Sequence, residues 1–128
     1  MDLQDQKSVE VQDKQLIALV EGALEDMKAK ELVVIDVRGR STVTDYMVVA
    51  SGTSKRHVAS VAQEVLDKLK AAGFQPMGVE GQDVGDWVLV DVGSVVVHVM
   101  MPDARSFYDI ERLWSVPGST KSSASQLS

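Results

Sequence analysis

The chain has 128 residues, 45% of them hydrophobic and 25% charged, with a net charge of −6 and no cysteine. That length favours one domain, since domains usually run to roughly 100–200 residues, and the composition is that of a globule rather than a disordered chain. No disulfide framework, thiolate nucleophile or cysteine zinc site can form, and no apolar run approaches the ~20 residues of a membrane-spanning helix.

Residues 13–30 read as an amphipathic helix, because Leu16, Val20, Leu24 and Met27 recur at helical spacing while Glu21, Glu25, Asp26 and Lys28 occupy other faces. Leu32–Val37 follows as a β-branched apolar run, hence a strand, and Arg38–Thr42 as a turn into a second strand, Tyr46–Ala50. The spacing of Val58, Val61, Ala62, Val65, Leu66 and Leu69 predicts a helix to about Ala72, capped by Thr53 or Ser54 and ended by Gly73. Gln75–Val79 is a short extended segment that Pro76 and Gly78 consign to a sheet edge. Asp86–Val92 and Val95–Met101 flank Gly93-Ser94, and glycine at the first central position suits a two-residue type II′ hairpin. Pro102 ends the ladder, and Asp103 is placed to cap a last helix from Ala104 to about Trp114.

The element order αββαβββα implies an α/β fold: a single domain with a mixed sheet of about five strands flanked by helices. Residues 1–116 are assigned to that domain, with the first ten or so expected to be flexible. Residues 117–128, rich in serine, are expected to form a disordered tail. Met1–Gln6 has neither the basic nor the apolar region of a secretory signal, so a cytoplasmic location is expected.

A two-residue loop at Gly93-Ser94 fixes the register outward. Val88, Val90 and Val92 fall on one face with Val95, Val97 and Val99, a surface that helices must bury. The other face pairs Trp87 with Met100, Leu89 with His98 and Asp91 with Val96. A tryptophan among apolar neighbours with a polar rim has the composition of an interface hot spot. A core tryptophan under another helix fits the same pattern equally well.

Catalytic chemistry finds little support. His57 and His98 are the only histidines, and their spacing makes no metal site. Ser51, Ser54 or Ser60 near His57 is more economically a coincidence of composition than a triad. No phosphate-binding glycine loop occurs. Two-metal catalysis needs strand acids at i and i+2, which share a face. The close match, Asp109-Ile110-Glu111, falls in a predicted helix, where such positions diverge.

Charge is unevenly placed. Residues 1–31 carry eight acids and four bases, residues 80–91 four acids and no base, and residues 38–57 four bases and one acid. An acidic globule is a poor stand-alone nucleic-acid binder and is suited to a basic protein partner. Lys55 and Arg56 stand at the positive end of a helix dipole, where cations are unfavourable. An anion or a partner's carboxylate bound there would offset the cost; so would simple solvation of two exposed side chains.

Several blocks together resemble one family. They are Asp36-Val37-Arg38-Gly39, Thr44–Val48, Ser51–His57, Gly78–Gly81, Asp86–Asp91, Val97–Met100, Arg105–Tyr108 and Glu111–Trp114. In order and spacing they are similar to the ribosomal silencing factor family, also called Iojap-like, from about residue 11 to Trp114. The resemblance implies a fold similar to nucleotidyltransferases without their catalytic acids, and no cofactor or metal. It implies a translational repressor that docks on the large ribosomal subunit through ribosomal protein number fourteen and blocks joining of the small subunit. It places the family's Asp-Trp on Asp86 and Trp87 and its His-Val-Met on His98, Val99 and Met100. With the register, this marks Trp87, Leu89, Asp91, His98 and Met100 as the expected partner-binding set, and Lys55 and Arg56 as candidate anion or partner contacts. A homodimer of the free protein is a further expectation, with no surface assigned to it. The rival reading is a nucleotidyltransferase-fold enzyme holding a nucleotide's phosphates with Lys55 and Arg56.

Overall fold

The computed structural model describes residues 3–42 and 44–114. Along the chain run α1 (Leu3–Asp26), β1 (Lys30–Asp36), β2 (Tyr46–Ser51), α2 (Lys55–Ala71), β3 (Gly78–Glu80), β4 (Trp87–Asp91), β5 (Val95–Met100), α3 (Pro102–Tyr108) and α4 (Ile110–Trp114). The five strands form one mixed sheet in the order β1-β2-β5-β4-β3, with β2 and β5 parallel and the other neighbours antiparallel. The expected α/β class, strand number and edge position of β3 are all present.

The hairpin has the register read from the sequence: Trp87 opposes Met100, Leu89 opposes His98 and Asp91 opposes Val96. Gly93 has φ +93° and Ser94 is not at positive φ, as the type II′ turn requires, and Val92 N–H donates to the Val95 carbonyl at 2.9 Å. The turn is also a hub. Ser94 donates its hydroxyl to the buried Asp13 of α1 at 2.7 Å, and its carbonyl accepts from the backbone N–H of Asp45 and of Tyr46.

The valine face is the main core. Val88, Val90, Val95, Val97 and Val99 are buried against Leu16, Val20, Ala23 and Leu24 of α1 and the apolar stripe of α2. α2 starts as expected, with Ser54 as N-cap accepting from His57 N–H at 3.0 Å. A second, smaller cluster lies on the opposite face, where Ile35, Val37, Met47, Val49 and Met100 meet Ile110 of α4, with Trp87 and Ala104 packed beside them.

Three boundaries differ from expectation, each for a local reason. α1 begins at Leu3 rather than residue 13 and stops at Asp26 rather than residue 30. Lys28 adopts φ +59°, Lys28 N–H donates to Glu25 and Ala29 N–H to Leu24, which is a Schellman ending built on lysine. Without glycine or asparagine to mark it, periodicity ran on through the stop. β1 then starts two residues early, through an irregularity between Lys30 and Val33 with Glu31 at φ +50°.

The single last helix is in fact two. Asp109 takes a left-handed conformation (φ 49°, ψ 47°), which aspartate tolerates better than most residues, and breaks α3 from α4. Asp103 does not cap α3. Met101 holds the N-cap position without a side-chain bond, and Asp103 lies in the first turn, where its charge suits the helix dipole. The expected tail at 117–128 lies outside the described residues.

Candidate docking face

The second face of the β4–β5 hairpin is divided by depth. Met100 is 0% and His98 4% exposed, whereas Trp87, Leu89 and Asp91 are half-buried. The sequence grouped all five as partner contacts. Burial makes His98 and Met100 interior supports, because Trp87, α3 and α4 cover this end of the sheet. Asp91 also serves the hairpin itself, since its Oδ1 accepts from Gly93 N–H at 2.9 Å and steadies the turn.

Trp87 is half-buried, part core and part surface. One side of the ring joins the smaller core cluster, and its Nε1–H donates to His98 Nδ1 at 2.9 Å. Burial lowers the His98 pKa to about 4, so the imidazole is neutral near pH 7 and keeps that acceptor. With Nδ1 accepting, the ring proton sits on Nε2, which is buried and has no hydrogen-bond partner among the described residues. The other side of the indole faces Tyr108, with ring centroids 4.8 Å apart and planes tilted by 45°. Phe107 meets Tyr108 edge-on at 5.0 Å.

These three rings rise from the sheet into solvent. Tyr108 is 52% and Phe107 81% exposed, which is unusual for side chains worth so much when buried. Beside them opens a cleft of about 490 Å³ lined by Asp86, Asp103, Lys55, Ala104, Phe107 and Tyr108. Sequence reasoning gave Phe107 and Tyr108 no role. Their signal was present: two adjacent aromatics in an otherwise polar helix, with Ala104 and Tyr108 at i and i+4.

The cation at the α2 N-terminus meets an acid of the same chain. Lys55 Nζ lies 3.5 Å from Asp86 Oδ1, so the Asp86 next to Trp87 offsets the dipole cost that suggested a bound anion. Both groups are at least half exposed, so the pair adds little stability. Two glycines let the β3–β4 loop pack closely here: a β-carbon on Gly85, at φ +82°, would lie 3.1 Å from Lys55. A side chain on Gly81, already at φ +87°, would collide with the Trp87 carbonyl. Arg56 is exposed on the same helix end.

The serine–histidine grouping is structural. His57 Nδ1 accepts from Thr53 N–H at 2.9 Å, and His57 Nε2 donates to the Met27 carbonyl at 2.7 Å, tying α2 to the end of α1. Ser54 is the cap, and Ser51 Oγ accepts from Arg105 Nη1 at 2.8 Å. Among the described residues, no group of three or more histidines and acids is arranged to hold a metal ion. Asp36, the strand acid nearest the turn, is held by Arg38 at 2.7 and 3.0 Å, which keeps its carboxyl below the usual range.

Residues 10–127 match the model of the family described as "Ribosomal silencing factor during starvation". The chain belongs to the ribosomal silencing factor family. It is 40% identical over 100 residues to "Ribosomal silencing factor RsfS" of Haemophilus influenzae, covering 78% of this chain and 98% of that one. It is 35% identical over 103 residues to "Mitochondrial assembly of ribosomal large subunit protein 1" of Mus musculus, covering 78% of this chain and 45% of that one. A crystal structure of a Chromobacterium violaceum protein superposes with TM-score 0.78 at 46% identity, covering 79% of this chain and 84% of that one. Family membership makes the protein a ribosome-associated regulator of translation. None of the described helices is long and apolar enough to cross a membrane.

Proposed function

We propose that the protein docks on the large ribosomal subunit through ribosomal protein number fourteen and sterically prevents the small subunit from joining. The observation that carries the reading is the aromatic ladder Trp87–Tyr108–Phe107, anchored in the sheet at one end and exposed at the other. Anchored, partly exposed aromatics are the residues that dominate protein–protein binding energy. Asp86 and Asp103 beside the ladder, on a chain of net charge −6, favour a basic protein surface. The mouse relative carries the large ribosomal subunit in its name, which supports that subunit as the docking platform.

On this reading the protein acts by occupying a surface, without turnover, and works in the cytoplasm. Leu89 extends the docking face below Trp87, while Lys55 and Arg56 border it at the α2 N-terminus. Two free copies shielding the same aromatic face from water would form a homodimer that dissociates on docking.

Pelleting of the purified protein with isolated large subunits tests the proposal. Stoichiometric recovery in the large-subunit pellet, with affinity reduced about tenfold or more in Tyr108→Ala, is the expected result. Recovery with small subunits alone, or none with large subunits, contradicts it.

A further inference from the structure

Phe107 and Tyr108, the outer rings of this face, belong to α3, which packs Ala104 beside the smaller core cluster and leaves both rings exposed. None of the side chains of α3 is buried, whereas α4 inserts Ile110 into the smaller core cluster. The left-handed Asp109 between them interrupts the helix, so backbone continuity alone does not make α3 and α4 one rigid rod. Tyr108 is nevertheless placed squarely enough on Trp87 for the rings to sit 4.8 Å apart.

Arg105 adds a polar anchor to that contact. Its side chain is 11% exposed, and its guanidinium reaches across the break to Glu111 of α4, Nε to Oε1 at 2.7 Å and Nη2 to Oε2 at 3.2 Å. The third nitrogen, Nη1, donates to Ser51 Oγ at the end of β2. Bidentate pairing with a carboxylate is the strong, geometrically specific form of this interaction. Ser51 pairs with Met100 and Met100 with Trp87 in the sheet register, so Ser51 and Trp87 lie two strands apart, about 10 Å. Arg105 and Tyr108 are three residues apart and share a helix face. α3 therefore bridges the sheet end, with Arg105 fixed over β2 and Tyr108 over β4.

We infer that Arg105 is a positioning residue for the docking face: its clamp on Glu111 and Ser51 holds Tyr108 against Trp87 and so presets the exposed aromatic ladder. This role deepens, and rests on, the docking reading of that face. Presetting matters because a side chain already fixed in its bound orientation loses less freedom on association. Lysine cannot replace Arg105, since a single ammonium cannot make two parallel bonds to Glu111 while also reaching Ser51.

The test uses the full-length, ¹⁵N-labelled protein and two readouts: the Trp87 indole Nε1–H resonance, assigned with Trp87→Phe, and affinity for isolated large subunits. The variants are Arg105→Ala, Arg105→Lys, Tyr108→Ala and the double variant Arg105→Ala/Tyr108→Ala. Arg105→Ala and Arg105→Lys should move the indole resonance toward its position in Tyr108→Ala. Each should weaken large-subunit binding about three- to tenfold. The double variant should bind no more weakly than Tyr108→Ala, because residues acting as one unit are non-additive.

A merely stabilising Arg105 would lower thermal stability while leaving the indole resonance in place, and that result overturns the inference. Losses that multiply in the double variant overturn it too, as does a lysine variant indistinguishable from the parent. Should Arg105→Ala fail to fold, Arg105→Lys carries both readouts. If the parent protein ignores large subunits, the docking reading falls, while the indole shift still decides whether Arg105 positions Tyr108.

Discussion

The indole N–H of Trp87 donates to Nδ1 of His98 at 2.9 Å, joining a half-exposed ring to an imidazole that is 4% exposed. The bond requires neutral His98, and the burial that lowers its pKa to about 4 secures that state. As pH falls through 6.5 the unfolded chain binds a proton that the folded chain refuses. Stability present in full above that pH is therefore lost down to about pH 4, where the loss levels off. A shift of this size corresponds to roughly 3 kcal/mol. Urea denaturation at pH 7.5 and 4.5 should show the drop, and His98→Asn, which cannot titrate, should flatten it. An unchanged pH slope in that variant would contradict the assignment.

The end of α1 offers a stabilising substitution. Lys28 occupies the left-handed position of a Schellman ending, at φ +59°, where a β-carbon costs roughly 1–2 kcal/mol. Glycine removes that strain and gives back part of the gain as chain entropy. Lys28→Gly should raise the free energy of unfolding by about 0.5–1 kcal/mol, measured by urea titration. A loss of stability would mean that the helix does not end as described.

Opposite faces of the sheet should respond oppositely to truncation. Val90 is fully buried on the valine face, so Val90→Ala should cost the fold about 2 kcal/mol through lost burial and a residual cavity. Phe107 is 81% exposed, so Phe107→Ala should leave unfolding within about 0.5 kcal/mol of the parent. The same variant should weaken large-subunit binding about tenfold. Calorimetry and pelleting on the same two proteins separate the outcomes.

The hairpin shows why so much of the fold was legible. A glycine at the first turn position and strict alternation on both sides fix every pairing from Trp87–Met100 to Asp91–Val96, and the all-valine face can only turn inward. The helix ends at Lys28 and Asp109 were not legible, because neither carries the glycine that usually marks a left-handed helix end, and the helical spacing continues through both. The proposed docking face was half legible. Periodicity put Trp87, Leu89 and His98 on one side, but it cannot show that α3 folds back to cover Met100 and stand Tyr108 on Trp87. The Arg105–Glu111–Ser51 clamp joins three separate elements, and such a contact has no spacing signature.

Nucleotide chemistry should be silent. Asp36 is occupied by Arg38, and no strand among the described residues carries acids at i and i+2 directed to one face. With Mg²⁺ and any nucleoside triphosphate, turnover should not exceed that of buffer. Reproducible nucleotide transfer that disappears in Asp36→Ala or Asp45→Ala would establish the enzyme reading instead.

Occupancy across ribosomal states tests the central claim most directly. Purified protein is mixed with isolated large subunits, then with small subunits, and the particles are separated by sedimentation and probed for the chain. Steric exclusion at the joining surface predicts the protein on free large subunits, its absence from assembled ribosomes, and a smaller assembled fraction as its concentration rises. Equal occupancy of free large subunits and assembled ribosomes, with joining unimpeded, would contradict the account.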